Sequence, residues 1–353
     1  MRRAAKWLAW ILAAVIGIPV MLLVLVVVGA NLAPGRNLLV KLVPSLTSGQ
    51  VAIAGLGGRF PDALRVATVE LRDTKGAYLT LHDVVLDWSP LRLAERVLDI
   101  DRLTAASGSV ARQPEPSSST SSSSGLPVRL VVHHLHVGRL ELAPAVVGAP
   151  YTLALNGSGR LDSYSAGQGQ LAVTRLDAAG SYTLDANVDA AQVNLRLQAD
   201  EPPHGLIAGV AKLPDLGAIS ISATLDGPRD AVATHLSVGA GPLEANAQGT
   251  LDLVHNAADL TVAAHAPAMT PRPDVSWQAV ALDARVQGAF ERPNVNGQLR
   301  LDQVDAAGGG VQRLTADISG NQGLVHLHAT ADGLRVTGDP GVLAAFGRVV
   351  RII

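Results

Sequence analysis

Histidine is the residue type whose spacing in this sequence comes nearest to a chemical site. His133, His134 and His136 lie close together, and His326 and His328 form a second pair. Alternate residues of a strand share one face, so either set could offer imidazoles to a zinc ion. No Asp, Glu or Cys cluster in the sequence completes a set of ligands, and alternation places the second pair on a polar face. We therefore predict solvated strand histidines and no metal site.

Other residues capable of catalysis lack a pattern that would organise them. Asp226, Asp252, Asp283 and Asp302 lie on predicted polar strand faces, where carboxylates belong without catalysing anything. Nothing singles out two of them as the acid and base of a glycoside hydrolase. The glycine run over 308–310 precedes no helical pattern, so it does not predict a phosphate loop. The sequence indicates neither an enzyme nor a cofactor.

The composition excludes several classes of protein. The 353 residues carry 28 Lys and Arg against 30 Asp and Glu, a formal net charge of −2, which argues against a basic surface for nucleic acid. Cysteine is absent, which excludes disulfides, iron–sulfur clusters, Cys zinc sites and thiol nucleophiles. Aromatic residues make up only 3%, so the apolar positions are mainly small aliphatic side chains.

The first apolar segment is a candidate membrane span. Residues 8–30 carry no charge, and as a helix they would extend about 34 Å, enough to cross a bilayer core of about 30 Å. Arg2, Arg3 and Lys6 precede the segment, so the N-terminus is expected in the cytoplasm and the rest of the chain beyond the membrane. The residues expected to anchor the chain are Leu8, Ile11, Val15, Val20, Leu23 and Val26.

A cleaved signal peptide is the alternative interpretation of the same segment. The small residues Val28, Gly29 and Ala30 resemble a cleavage site, and a secreted adhesin or solenoid would then follow. A signal h-region usually has only about 7–15 residues, however, and this apolar stretch is far longer. We therefore favour the uncleaved anchor, and both interpretations export the remainder of the chain.

Composition divides the chain into four regions. We predict a cytoplasmic stub and anchor over 1–32, a membrane-proximal β region over 33–112, a Ser- and Pro-rich linker over 113–126, and a repetitive β region over 127–353. The linker is low-complexity polar sequence that cannot bury a core. Strands are expected over Leu64–Leu71, Ala77–Trp88 and Leu98–Val110, with a helical turn over Ser89–Arg96.

From Pro127 onward, apolar and polar residues alternate in one segment after another. Val193, Leu195 and Leu197, for example, are separated by Asn194 and Arg196. Because this period of two is typical of antiparallel sheet with one apolar face, we predict an all-β fold. The aliphatic face would form a trough for acyl chains, or alternatively the core of an ordinary sandwich or solenoid. The residues predicted to line a lipid groove are Val193, Leu195, Leu197, Ile219, Ile221, Leu225, Leu251, Leu253, Val280, Leu282, Val286, Leu299, Leu301, Leu314, Ile318, Val325 and Leu327.

Residues 55–90 carry a distinctive pattern just behind the apolar N-terminal segment. The motif Gly57-Gly58-Arg59-Phe60 is followed by a Leu/Val alternation that leads to Arg72-Asp73 and a strand over Leu81–Asp87. This pattern resembles the N-terminal region of the TamB family, the inner-membrane subunits of the translocation and assembly module, which are related to AsmA-like proteins. The polar linker and the later strand–Gly–Pro–strand repeats are similar in style.

The resemblance implies an elongated, curled antiparallel β-sheet, groove-forming and taco-like, behind a single N-terminal transmembrane helix. It implies a single-pass inner-membrane protein, largely periplasmic, that shields phospholipids and conducts them toward the outer membrane. A TamA-type outer-membrane barrel would be its partner, through a C-terminal region that this shorter chain is expected to lack. The alternative is a scaffold that assists outer-membrane protein insertion by β-augmentation.

Overall fold

A computed structural model describes residues 40, 44–45, 47–115, 128–163, 165–213, 216–272, 274–306, 309–321 and 324–336. Strands account for 71% of these described residues and helices for 7%, so the predicted all-β fold class is confirmed. The predicted anchor over residues 1–32 lies outside the described residues, as do its members Leu8, Ile11, Val15, Val20, Leu23 and Val26. Among the residues that are described, no helix combines the length and apolar character needed to cross a membrane.

The chain separates into two compact units. The first comprises Met1–Val146 with Thr152–Ser158, and the second comprises Val147–Tyr151 with Gly159–Ile353. The predicted division at residues 113–126 stays a prediction. The last strand of the first unit, β7, has residues in both units. The elements up to and including it are β1 Val51–Arg59, β2 Ala63–Asp73, β3 Gly76–Trp88, a 3-10 helix Pro90–Glu95, β4 Val97–Ala105, β5 Ser107–Val110, β6 Arg129–Leu142, α1 Pro144–Val147 and β7 Tyr151–Ser163.

The second unit continues with strands and one short helix. These elements are β8 Ala166–Arg175, β9 Ser181–Val188, β10 Gln192–Glu201, α2 Leu206–Ala211, β11 Ile219–Pro228, β12 Val232–Ala240, β13 Leu243–Asp252, β14 Ala257–Ala266, β15 Met269–Arg272, β16 Val275–Trp277, β17 Ala279–Ala289, β18 Asn294–Ala306, β19 Gly309–Asn321, β20 Leu324–Asp332 and β21 Arg335–Val336.

Strand pairing in the first unit departs in one place from the predicted antiparallel pattern. β1, β2 and β3 pair antiparallel, and β4 and β5 lie end to end along β3. β6 then runs parallel to β4 and β5, with Val97 beside Arg129 and Gly108 beside Leu140. The physical reason is the long connection over residues 111–128, since parallel neighbours need a crossover of about a dozen residues or more.

The core of the first unit forms on one side of this sheet. Val66, Val84 and Ala105 are buried there, and the half-buried residues packed against them are Ile53, Leu56, Val69, Leu81, Leu103 and Val137. Gly55, Ala67 and Asp83 have no partner in the strand pairing. This irregularity shifts the alternation of β2 by one residue, so that Val66 and Val69 both contact the same cluster. Gly55 suits this irregularity because its φ is +66°, and a Cβ there would lie 2.6 Å from that of Ala67.

The second unit is a long antiparallel ladder in chain order. Each strand from β8 to β14 pairs with the next, and the ladder continues through β17, β18, β19 and β20. The short strands β15 and β16 form a side hairpin, while β21 pairs with the start of β19. At about 4.8 Å per strand, the ladder measures roughly 50 Å across its strands.

Candidate functional site

One face of the second unit's ladder is apolar from β10 to β20, and we call it the apolar face. Residues paired across neighbouring strands point to the same side, so the register assigns each side chain to a face. Leu195 pairs with Leu225, and Leu282 pairs with Leu299. The same register continues at the far end, where Ile318 pairs with Leu327. A single continuous surface therefore collects apolar side chains from many short strands.

The predicted groove residues in the described strands all fall on the apolar face. Leu253 follows the end of β13, and Val325 has a described backbone only. Their role in lining a lipid groove stays a prediction. The remaining predicted residues are Val193, Leu195, Leu197, Ile219, Ile221, Leu225, Leu251, Val280, Leu282, Val286, Leu299, Leu301, Leu314, Ile318 and Leu327.

Most side chains of the apolar face are half-buried. Val193 and Ile219 are buried, whereas Leu236 and Leu327 remain 37% and 44% exposed. The described helices of this unit are no longer than six residues, so none of them could cover a ladder of this size. An apolar face that keeps this much contact with solvent can accommodate a flexible apolar ligand.

The opposite face of the ladder is polar. Arg285 on β17 donates hydrogen bonds to Asp259 on β14, at 3.1 and 3.0 Å. Arg313 on β19 donates to Asp302 on β18 at 3.0 Å. The Arg285 guanidinium holds the pKa of the Asp259 carboxyl below its usual range. Between β10 and β20, the charged side chains of the ladder's described strands therefore lie on the polar face, apart from the buried Glu201.

Two strands that contribute to the apolar face were not predicted from the sequence to do so. β12 contributes Val232, Leu236 and Val238, and β14 contributes Leu260 and Val262. The signal was present, because these residues alternate with polar positions in the same way as their neighbours. The alternation is weaker in these two segments, because Thr, Ala or Gly occupies several of the polar and apolar positions.

A polar cluster lies at one end of β8, β9 and β10. The Tyr182 hydroxyl donates to Oε2 of Glu201 at 2.8 Å. Glu201 is only 4% exposed, and it also accepts from the backbone N–H groups of Ile207 and Ala208 at the start of α2. Arg175 lies with its guanidinium 4.7 Å from the centre of the Tyr151 ring. The cluster fixes α2 to the sheet at the end of β10.

Titration of Tyr182 should destabilise the protein in alkali. Burial, followed by the hydrogen bond to Glu201, raises the pKa of Tyr182 above its ordinary value. Because folding raises this pKa, the stabilisation is fully present below the unfolded value of about 10 and is lost as pH rises through the folded value. We expect the melting temperature of the wild type to fall steeply from pH 9 to 11, measured by circular dichroism.

The matched variants for this experiment are Tyr182→Phe and Thr183→Ala. Tyr182→Phe removes the titrating group, so its melting temperature should decline less between those pH values, although losing the hydrogen bond costs about 1 kcal/mol at neutral pH. Thr183 is exposed on the opposite face, and its variant should keep the wild-type decline. Equal declines in the wild type and Tyr182→Phe would show that this hydroxyl does not govern alkaline stability.

The histidines weighed as metal ligands are placed differently in the two units. His326 and His328 are exposed on the polar face, as alternation predicted. In the first unit, parallel pairing of β4 with β6 brings Asp99 and Asp101 to His133, with ligand atoms all within 4.8 Å of one another. The expectation that no Asp, Glu or Cys cluster accompanies the histidines was therefore wrong for His133. It failed because strand pairing across the linker cannot be deduced from spacing along the chain.

The carboxylate of this cluster already has a cationic partner. Arg92 donates to Oδ2 of Asp99 at 2.6 Å, and Nε2 of His133 lies 2.9 Å from Oδ1. The Arg92 guanidinium, and then His133, lower the pKa of the buried Asp99 carboxyl. A guanidinium on the same carboxylate competes with a metal ion for it. The chemistry of the cluster therefore fits an ion-pair network that ties the 3-10 helix to β4 and β6.

Comparison of the chain with protein-family models, with curated proteins and with solved structures finds no match. The resemblance to the TamB family thus depends on the pattern of residues 55–90 and stays a prediction. The apolar face is the strongest candidate for a functional site, because its apolar side chains form one continuous register from β10 to β20 and most of them stay half-buried.

Proposed function

We propose that the chain shields and conducts phospholipids along the apolar face of its second unit. The observation that carries this proposal is the continuous register of aliphatic side chains from β10 to β20, left half-buried. Acyl chains need an apolar surface without specific polar partners, and the phosphate head group can remain at the wet border of such a surface. Passage across successive strands needs no catalytic residue, in agreement with the absence of a catalytic pattern in the sequence.

The finer parts of the proposal come from the sequence. We propose that the sheet curls into an open groove and that residues 8–30 anchor the chain in the inner membrane, with its bulk in the periplasm. The apolar, uncharged N-terminal segment behind Arg2, Arg3 and Lys6 supports the anchor. The resemblance to the TamB family supports transport toward the outer membrane and an outer-membrane barrel partner.

A vesicle assay tests lipid conduction. The full chain is reconstituted in donor vesicles that contain a self-quenched fluorescent phospholipid, and acceptor vesicles without the dye are added. We expect dequenching to be faster than in protein-free donors and to increase with the amount of protein. A rate equal to that of protein-free vesicles, with the chain folded and incorporated, would contradict the proposal.

A second candidate function is supported by β1, which pairs with β2 on one side only among the described strands. Such an edge can accept an extended client strand by β-augmentation, as a scaffold for outer-membrane proteins would require. Photocrosslinking from Ala52 or Ala54 on β1 distinguishes the two functions. Adducts with outer-membrane proteins would favour the scaffold, whereas their absence, together with lipid transfer in the vesicle assay, would favour conduction.

A further inference from the structure

We propose that one end of the first unit is a docking surface for an anionic lipid membrane. This surface, which we call the Leu91 tip, consists of residues 89–97 and Arg129. It lies where β3 ends and where β4 and β6 begin. The proposal does not depend on lipid conduction by the second unit, because it uses only side chains of the first unit.

Apolar side chains protrude at the Leu91 tip. Leu91 is 89% exposed, the highest value among the large apolar side chains of the described residues, and Leu93 is 43% exposed. Both lie on the 3-10 helix Pro90–Glu95, which has no buried residue. A leucine that is almost fully exposed leaves its apolar surface in water in the isolated chain. Its exposure is accounted for if the tip contacts an apolar phase.

The 3-10 helix that carries the exposed leucines is held in place by hydrogen bonds. The backbone N–H of Ser89 donates to the carbonyl of Asp99 at 2.8 Å, and that of Arg96 donates to the carbonyl of Leu93 at 3.0 Å. Arg92 holds the buried Asp99 carboxylate at 2.6 Å. Pro90 fixes the first turn of the helix. The helix is therefore held with Leu91 and Leu93 outward, as a preformed docking element must be.

Unpaired cations flank the two leucines. Arg96 and Arg129 are neighbours, because the N–H of Arg129 donates to the carbonyl of Arg96 at 2.8 Å. Both side chains are exposed, and neither takes part in an ion pair among the described residues. Glu95 of the tip and the neighbouring Asp99 of β4 lie against Arg92 instead. The two free guanidiniums give the border of the apolar tip a positive charge.

This combination fits a lipid surface better than a folded protein partner. Leucines between arginines are typical of elements that lie in the membrane interface, where the apolar side chains enter the acyl boundary and the cations meet phosphates. A protein interface needs a larger packed area, usually with aromatic anchors, and no aromatic residue lies on the helix itself. Residues 31–50 join β1 to the proposed anchor and span at most about 70 Å, so the same bilayer is within reach.

The test is lipid quenching of a probe at the tip, in the full chain. The chain contains no cysteine, so Ala94→Cys, an exposed position on the 3-10 helix, gives a single attachment site for an environment-sensitive fluorophore. The labelled chain is reconstituted in vesicles of phosphatidylcholine, with or without phosphatidylglycerol, that contain spin-labelled quencher lipids. Val254→Cys, 58% exposed in the second unit, is the matched control position.

We expect lipid quenching of the probe at position 94 in anionic vesicles, less in neutral vesicles, and little at position 254. Arg96→Ser combined with Arg129→Ser should lower the ratio of docked to free tips by roughly twenty-five-fold, since each arginine near an anionic surface contributes about fivefold. Leu91→Gln combined with Leu93→Gln should abolish the quenching. All four residues are exposed, so these variants should fold normally.

A third probe separates this proposal from the proposed anchor. Quenching at Val15→Cys without quenching at position 94 would support the anchor and overturn the docking surface. Quenching at position 94 without quenching at position 15 would support docking and contradict the anchor. The proposal is overturned if, in all vesicles, the probe at position 94 stays as exposed to water as the probe at position 254. This holds even if the tip contacts a protein instead of a membrane.

Discussion

Leu299→Arg is expected to slow lipid transfer between vesicles by about tenfold. Leu299 lies on β18 within the apolar face, opposite Leu282 on β17 and Ala316 on β19. A guanidinium there meets the path of the acyl chains, and desolvating it costs on the order of 1–3 kcal/mol, where about 1.4 kcal/mol corresponds to a factor of ten. The side chain is half-buried, so in the lipid-free protein the arginine can extend to solvent without unfolding the sheet. The desolvation cost arises only when passing acyl chains displace that water.

Gln298→Arg is the matched control for this variant. Gln298 is the preceding residue of β18, is exposed on the polar face, and donates to Asp317 at 3.1 Å. An arginine at position 298 adds the same charge beside a carboxylate that can pair with it. We expect wild-type transfer from Gln298→Arg. Equal transfer by both variants, or equal loss in both with normal melting curves, would contradict passage of lipid over the apolar face.

Val232→Asp is expected to destabilise the second unit by about 3 kcal/mol or more. Val232 begins β12 and is 0% exposed, with Leu251 of β13 opposite it on the apolar face. A carboxylate at this position has to be buried without a described cationic partner, in addition to the loss of apolar contacts. Urea unfolding followed by circular dichroism would give the change in the free energy of unfolding.

The control for this variant is Ala233→Asp. Ala233 follows Val232 on the same strand but is exposed on the polar face, opposite Thr250. Asp226 of β11 lies opposite position 233 on the other side, so we expect the free energy of unfolding to fall by no more than about 1 kcal/mol. If Val232→Asp were as stable as Ala233→Asp, the apolar face at β12 would be open to water at this point, and the packing described for it would be incorrect.

Local features of this fold could be predicted from sequence with good accuracy. The strand expected over Ala77–Trp88 corresponds to β3, Gly76–Trp88, and the one expected over Leu64–Leu71 lies within β2. Period-two alternation identified these elements because each strand buries one face only. The turn expected over Ser89–Arg96 is the 3-10 helix with Pro90 in its first turn, although the Ser89 side chain makes no capping hydrogen bond.

Contacts between distant strands could not be predicted in the same way. The parallel pairing of β6 with β4 depends on a long connection whose length permits several topologies, so the sequence does not select one. That pairing alone brings His133 to Asp99, and the link from Asp99 to Arg92 follows from the turn between them. The polar cluster around Glu201 was missed for a similar reason, because Tyr182 and Tyr151 reach it from different strands.

Site-specific photocrosslinking in cells tests lipid conduction most directly. A reactive group is placed at Ile221 on β11 or Leu301 on β18, both on the apolar face, and at their exposed neighbours Ser222 and Arg300 on the polar face. We predict phospholipid adducts at positions 221 and 301 and none at positions 222 and 300. Adducts at neither pair in a folded chain would contradict the proposal and would show that protein alone covers the apolar face.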